Sequence, residues 1–430
     1  MTNNLPQGWV ECELKDVFTI VTGKTPSKKH SEYFEGKIPF VKPGDLNKNE
    51  FIYFTEEDAL TEEGFKNAPF LPKHSILVSC IGNLGKKAIL GVNGSCNQQI
   101  NAILPNKYVN FKYIYYYIDI IVSWMEQNAS ATTVTILNKG KFEQAPFLLP
   151  PLNEQKRIVE KIEKEFAKID EGIEKLKLAQ EQIKQYKQSV LKSAFEGKLY
   201  KTTEWMKRNF EDICIYIQRG KSPKYSNIKN DNFVINQKCV RWNELQIEFI
   251  KYVTDDFWNN LPQERFLQAG DILWNSTGTG TIGRAYLYNG DELSKTIVDS
   301  HVTIVRTSKN NMISKFLFYF IMSPFVQYKI EAMQSGSTNQ VELSSQEIKK
   351  TIINVPTFDE QIQIVKEIEK RFEDANKAEK IVAKNLEKAQ QLKQAILKKA
   401  FEGRLVPQDP NDEPASTLLE KIKAERGKNV

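Results

Sequence analysis

Residues 276–285 read STGTGTIGRA, and within them Gly278, Gly280 and Gly283 form a G-x-G-x-x-G. Where such a string follows a strand and opens a helix, the glycines let the backbone close on a pyrophosphate, and the helix N-terminus faces its negative charge. Similar glycine loops cradle S-adenosylmethionine. The strand is present as DILW (271–274), but after Gly283 the chain reads RAYLYNG, short, alternating and closed by a turn signal. That is the pattern of a strand, not a helix. A tight β-loop is therefore expected here, with nucleotide binding through Gly278, Gly280 and Gly283 as the competing reading. Other chemistry is no better supported. The run Gly82-Asn-Leu-Gly85-Lys86-Lys87 lacks the spacing and the hydroxyl of a phosphate-binding loop. The N-P-P-[YF] or D-P-P-[YF] loop with which amino-methyltransferases hold a target amine does not occur. His30, His74 and His301 stand far apart, without metal-ligand spacing. The five cysteines, Cys12, Cys80, Cys96, Cys214 and Cys239, are odd in number and contain no C-x-x-C, so they read as reduced, mostly buried thiols of a cytosolic protein. No catalytic residue is assigned.

The elements that must position any binding residues are more legible. With 430 residues, 40% hydrophobic and 27% charged, the chain can bury the cores of two or more domains. A net charge of +6 permits nucleic-acid contact without demanding it. The opening MTNNLPQGWV has neither a basic nor an apolar signal region. The most apolar runs, 113–125 and 316–326, fall short of the roughly 20 residues of a membrane span and read as buried aromatic helices. A cytoplasmic protein without membrane contact is expected.

The chain is written twice. Residues 154–199 and 360–405 align without a gap at an offset of 206, and 19 of 46 positions are identical. Both begin with E-Q and end with A-F-E-G-x-L. Ile158, Ile162, Phe166, Ile169, Ile173, Leu176, Ile183, Tyr186, Val190 and Ala194 step by three, four and seven, the spacing of a coiled-coil seam. Ile364, Ile368, Phe372, Ala375, Val382, Ala389, Leu392, Ile396 and Ala400 do the same. Pro151 and Pro356 precede the helices, and Gly197 and Gly403 stand where a left-handed cap is wanted. Each rod should be roughly 70 Å long.

The segments before the rods repeat more faintly. Trp9, Asp16 and Gly23-Lys24-Thr25-Pro26 answer Trp205, Asp212 and Gly220-Lys221-Ser222-Pro223. HSILV (74–78) answers GDILW (270–274), and SATT (130–133) answers SGST (335–338). The expected organisation is 1–150 globule, 151–198 helix, 199–355 globule, 356–404 helix and 405–430 tail. The fold class is α+β: two pseudo-twofold-related mixed domains joined by two long antiparallel coiled-coil helices, a dumbbell. Tail residues 414–425 are expected to form a short helix near the first globule.

Two diverged globules, each followed by a P-x-x-E-Q-x-x-I-V helix ending in A-F-x-G-x-L, resemble the specificity subunits of type I restriction-modification enzymes, and the tail segment LVPQDPNDEPAS is also typical of that family. The resemblance covers nearly the whole chain. It implies that the globules are target recognition domains, each reading one half of an asymmetric bipartite duplex DNA target. It implies two methyltransferase subunits, modifying adenine at N6, docked on the helical regions, with restriction/translocase subunits joining them. It places S-adenosylmethionine, ATP and Mg on those partners, with no cofactor and no metal in this chain. A methylation-only or differently cleaving system would use a similar subunit. A coiled-coil scaffold with no DNA role is the reading from a different class.

Contact with DNA is then expected in the loops. Lys24, Thr25, Ser27, Lys28 and Lys29 and, at the equivalent place, Lys221, Ser222, Lys224 and Tyr225 suit phosphate contacts that set register. Asn97 and Gln98, Thr132 and Thr133, and Ser337, Thr338, Asn339 and Gln340 offer groups that pair with base edges or phosphates. Arg241 and Arg284 are candidates for guanine or phosphate. The similarity of the rod ends, PLNEQ and AFEG, suggests a shared partner docked at both copies.

Overall fold

A computed structural model describes residues 5–131, 134–200, 204–278, 280–291, 293, 295–335 and 342–427. Two compact units emerge, one joining Met1–Lys175 to Asn385–Val430, the other comprising Leu176–Lys384. In the first, strands β1 (Ile20–Thr22), β2 (Phe51–Ile52), β3 (Ile76–Ser79), β4 (Lys87–Leu90) and β5 (Ile100–Ile103) form one sheet in the order β1-β5-β3-β4-β2. All pairs are antiparallel except β2 with β4. Every residue of β3, β4 and β5 is buried, which is why these stretches lack the apolar–polar alternation of a half-solvated strand. Ile76 and Val78 face the aromatic helix α1 (Phe111–Asn128), and Leu77 faces a smaller cluster with Val41, Leu71 and Ala102. The hydroxyls of Tyr113 and Tyr117 on α1 donate to the Leu148 and Pro146 carbonyls at 3.0 and 3.1 Å. Those carbonyls lie in a ribbon, Val10–Glu13 with Pro146–Leu149, that leads into the long helix α2 (Leu152–Phe195).

The second unit repeats this plan. Strands β6 (Cys214–Arg219), β7 (Ile272–Asn275), β8 (Ala285–Leu287) and β9 (Val302–Thr307) pair in the order β6-β9-β7-β8, matching β1-β5-β3-β4. Helix α3 (Ser314–Met322) takes the place of α1, and the ribbon Met206–Asn209 with Ile352–Val355 leads into α4 (Phe358–Phe401). A parallel pair, Phe40–Val41 with Ser95–Cys96, likewise recurs as Phe233–Ile235 with Thr296–Val298.

The most repeated residues of the long helices hold the helices to the units. Gln155, fully buried, accepts from the Asn110 amide at 2.8 Å and donates to the Pro150 carbonyl at 2.9 Å. Gln361 does the same with Ile313 at 2.9 Å and Pro356 at 3.2 Å. Each glutamine thus ties the start of its long helix to the start of the preceding aromatic helix. Trp9 Nε1 donates to the buried Glu154 carboxylate at 3.0 Å. At the other ends, Phe401 meets Tyr113 and Tyr117 edge-on at 5.2 and 5.1 Å, and Phe195 meets Phe316 and Phe320 at 5.1 Å each. Gly197 and Gly403 adopt φ of +70° and +66°, the left-handed caps expected. Packing within the chain therefore accounts for the shared E-Q and A-F-E-G, and their similarity does not by itself require a shared partner.

Within each unit, opposite ends of the long helices meet. Lys393 of α4 pairs with Asp170 of α2 at 2.5 Å and lies over the Phe166 ring. In the second unit Lys187 of α2 reaches Glu379 and Asn376 of α4 at 2.7 Å and lies over Phe372. The helices accordingly run antiparallel. Tyr186 and Leu392, expected in the seam, are 44% and 52% exposed. A helix pair covers each side chain from one direction only, and full burial comes where a head adds a second layer, as at Ile158, Ile162 and Ile368.

The tail forms helix α5 (Ala415–Gly427), whose Ala415, Leu418 and Ile422 join the core of the first unit. Ala415 N–H donates to the Gly8 carbonyl at 2.9 Å, and Arg157 pairs with Asp412 at 2.7 Å. The hydrogen bond from Arg157 holds the Asp412 carboxyl below the usual carboxylate range. A depressed folded-state value contributes stability above the unfolded value of about 3.9 and loses it as pH falls through the folded one. Docking of the tail is therefore expected to hold at neutral pH and to loosen only below about pH 4. Asp412→Asn should weaken it at pH 7 by about 1.5–3 kcal/mol, the worth of a charged hydrogen bond. Faster amide exchange across 415–427, with the sheet amides unchanged, is the check.

Candidate nucleic-acid interface

The loops singled out by residue type gather along one edge of each unit. In the first, the Gly23 and Lys24 amides donate to the Ile100 and Cys96 carbonyls, both at 3.0 Å, and Thr25 Oγ1 donates to Gln98 Oε1 at 2.7 Å. This seats the 23–29 loop on the 96–99 loop. Cys80 N–H donates to the Gln99 carbonyl and Gly82 N–H to the Thr135 carbonyl, adding the 80–86 turn and the ribbon Ser130–Ala131 with Thr135–Ile136. In the second unit the Gly220 N–H donates to the Val302 carbonyl, Ser276 N–H to the His301 carbonyl and Leu343 N–H to the Ser276 carbonyl. The same four loops meet again, from different residues.

Gly23 and Gly220 permit this close approach. A Cβ on Gly23 would stand 2.1 Å from the Asn97 carbonyl oxygen, and one on Gly220 would stand 2.1 Å from that of Asp299. Asn97 and Asp299 are themselves equivalent. Asn97 Oδ1 accepts the Gln99 N–H at 3.1 Å, and Asp299 Oδ1 accepts the His301 N–H at 2.9 Å. Burial raises the Asp299 carboxyl above the ordinary carboxylate range.

Of the predicted contact residues, Lys24, Ser27, Lys28, Lys29, Gln98, Lys221, Ser222, Lys224 and Tyr225 are exposed on these edges, and Thr25 is half-buried against Gln98. Lys28 and Lys224 lie 3.8 Å from Asp58 and Asp256, loose pairs that leave both ammonium groups largely in solvent. Tyr225 lies under Lys251 at 4.4 Å and points its hydroxyl at Asp299 Oδ2, 3.4 Å away. Asn97 is a correction: it is buried and its amide is engaged in holding Gln99, so it supports the edge instead of facing a ligand. Arg241 is half-buried. Its guanidinium donates to the Val240 carbonyl, and its neighbours Trp242 and Asn243 line a groove against α2 and α4 with Phe325 and Phe372. Thr132, Thr133, Ser337, Thr338, Asn339 and Gln340 lie outside the described residues.

The G-x-G-x-x-G is a hairpin turn between β7 and β8, with Gly278, Gly280 and Gly283 at φ of +96°, +80° and +86°. Arg284, half-buried, follows it directly into β8. With a strand where a helix N-terminus would be needed, the turn has no dipole to offer a pyrophosphate. Among the described residues no cluster of histidine, cysteine or acidic side chains has metal-binding geometry, and no helix is long and apolar enough to cross a membrane. Burial pushes the Cys12, Cys80, Cys96 and Cys214 thiols up to about 12, which leaves them protonated and unreactive at neutral pH.

Sequence reasoning placed Gln99 in this loop with Asn97 and Gln98, and passed over His301, Thr277, Gln237 and Lys251. The equivalent turns CNQQ (96–99) and VDSH (298–301) share no residue. The offset between copies drifts from 197 at Gly23 and Gly220 to 202 at Asn97 and Asp299, so a fixed-offset comparison misses the correspondence. The repeated GK loop was the available signal, because whatever packs on Gly23 has a counterpart packing on Gly220.

Fold and site together define a twice-built protein: two mixed α/β modules, each presenting a basic, hydroxyl-rich loop edge and each fixed to a long helix. A family model described as "Type I restriction modification DNA specificity domain" matches residues 6–182 and again 202–388, and the chain belongs to this family. It is similar to the type I restriction enzyme EcoKI specificity subunit of Escherichia coli (strain K12), at 24% identity over 98% of this chain and 96% of that one. It is similar to the MjaVIII specificity subunit of Methanocaldococcus jannaschii, at 24% identity over 93% and 94%. Among solved structures, a chain from work on complex assembly and conformational transition of the type I R-M system superposes with a TM-score of 0.72 at 17% identity, over 94% of this chain and all of that one. The HsdS subunit from Thermoanaerobacter tengcongensis gives 0.52 at 18% identity, over 93% and 98%. The chain is a DNA-specificity subunit of the type I restriction-modification class, and it supplies sequence recognition, not catalysis.

Proposed function

We propose that each loop edge reads one half of an asymmetric, bipartite duplex target, while the long helices set the separation of the two halves. Residues 1–150 and 199–355 are the recognition domains, 151–198 and 356–404 the spacing helices, and 405–430 a tail that closes onto the first domain. Two adenine-N6 methyltransferase subunits are positioned by this frame, one per half-site, and restriction/translocase subunits add to them. S-adenosylmethionine, ATP and Mg belong to those partners. One observation carries the reading: the same four-loop edge is built twice from different side chains, as two readers of different sequences require. Pseudo-twofold readers serve half-sites about one helical turn apart.

Sequencing of N6-methyladenine in the host with and without this gene tests the proposal. Loss of one bipartite motif supports it, and an unchanged methylome overturns it. The basic loop is tested separately. Lys24→Ala with Lys28→Ala, in the complex with the methyltransferase, removes two expected phosphate contacts at about 0.9 released counterions each. The slope of log affinity against log salt should become shallower by about 2, read from binding curves at several salt concentrations.

A further inference from the structure

Gln99 and His301 occupy the same position in the two edges, and we infer that they are specificity-determining residues of opposite hydrogen-bonding polarity. The inference rests on the reading of these edges as DNA-recognition surfaces. Each residue is locked by its backbone. Gln99 N–H donates to Asn97 Oδ1 and its carbonyl accepts from Cys80; His301 N–H donates to Asp299 Oδ1 and its carbonyl accepts from Ser276. Both side chains start from a fixed point at the centre of the four loops, between the basic GK loop and the glycine turn.

What each side chain presents follows from its neighbours. Asn97 must turn its oxygen to the Gln99 backbone N–H, so its Nδ2 is a donor, and that donor meets Gln99 Oε1 at 3.1 Å. That bond engages one lone pair of the Gln99 oxygen and fixes the orientation of the amide, so its N–H groups are the ones available to address a ligand. An N–H donor at a base edge in the major groove selects an acceptor: guanine O6 or N7, adenine N7 or thymine O4. In the second unit Asp299 replaces Asn97 and has no donor to offer a side chain. His301 is instead held by Thr277, with Nδ1 at 2.6 Å from Oγ1, and the Thr277 hydroxyl donates onward to Gln237 Oε1 at 3.1 Å. With its proton directed to Gln237, the hydroxyl accepts from His301 Nδ1–H, which in the neutral ring leaves Nε2 as the acceptor nitrogen. It is an acceptor on an exposed side chain, suited to an exocyclic amino group, adenine N6 or cytosine N4. The first unit has Ile81 where the second has Thr277, so it cannot build this relay.

The test uses the full chain in complex with its methyltransferase and a pool of randomised duplexes. The wild-type complex enriches two half-sites; His301→Ala is expected to relax one base pair of one half-site by about tenfold and to leave the other half-site intact. Gln99→Ala is expected to do the reverse. At the pair relaxed by His301→Ala, a base analogue lacking the exocyclic amino group should weaken wild-type binding by a similar factor and leave the variant unaffected. A uniform loss across all sequences in His301→Ala, or wild-type indifference to the missing amino group, overturns the assignment for His301. Unchanged preference in Gln99→Ala overturns that for Gln99. A wild-type complex that enriches no sequence would instead overturn the recognition reading itself, and this assignment with it.

Discussion

Asp271→Asn is expected to destabilise the second unit by about 3–5 kcal/mol, the cost of leaving a buried charge without its partner. Asp271 is fully buried at the entry to β7, and Arg306 on β9 is nearly so. The pair is bidentate, Nε to Oδ1 and Nη2 to Oδ2, both at 2.7 Å. Asp271 Oδ2 also accepts the Gln268 N–H at 2.8 Å, and Arg306 donates to the Glu264 and Phe266 carbonyls at 3.2 and 3.0 Å. Asparagine keeps the shape, but it removes the charge and sets an NH₂ group against a guanidinium donor, while Arg306 cannot deprotonate to escape. Because the chain holds two units, one unfolding midpoint would average over both. Amide exchange resolves them: protection across β7 and β9 should fall and protection across β3 and β5 should not. Equal loss in both sheets, or no loss, would contradict the assignment.

Gly220→Ala is expected to have the largest effect on recognition. The added Cβ would lie 2.1 Å from the Asp299 carbonyl oxygen and 2.2 Å from that of Val298. Both obstacles are backbone, so no side-chain rotation relieves them, and the loop must separate from the 298–301 turn. That shift carries Tyr225 off Asp299 and displaces the surface that presents His301. Affinity for the cognate duplex should drop toward the non-specific level, a loss of about 10³-fold, measured by competition between cognate and scrambled duplexes. Gly23→Ala should act equally through the first unit, where the Cβ meets Asn97 and Cys96 oxygens at 2.1 and 2.4 Å. Gly44→Ala, with nothing within 4 Å of its Cβ, is the neutral control.

Much of this was legible in the chain. The long helices follow from apolar spacing, the acids of their first turns and the capping glycines, all local features. The twofold plan follows from an ungapped 46-residue repeat. The refusal of the G-x-G-x-x-G as a cofactor turn follows from the strand pattern after Gly283. Local sequence is silent where a residue's meaning depends on what lies across the fold. E-Q and A-F-E-G read as marks of a common partner; in the fold Gln155, Gln361, Phe195 and Phe401 each meet an equivalent aromatic helix of their own chain. Asn97 looked like a base-reading amide and proved to be the support of its neighbour.

By itself, then, the sequence determined the elements, their duplication and the membership of the basic loops, because periodicity, caps and internal copies are properties of the chain in one dimension. Only the tertiary structure decided which loops share an edge. Thr25 meets Gln98 across 73 residues and Tyr225 meets Asp299 across 74, joined by the register of β1 on β5 and of β6 on β9. A register shift of one residue would turn every side chain of those strands to the opposite face. It is this pairing, with two glycines narrow enough to let the loops touch, that places an amide and an imidazole at one position of the two loop edges.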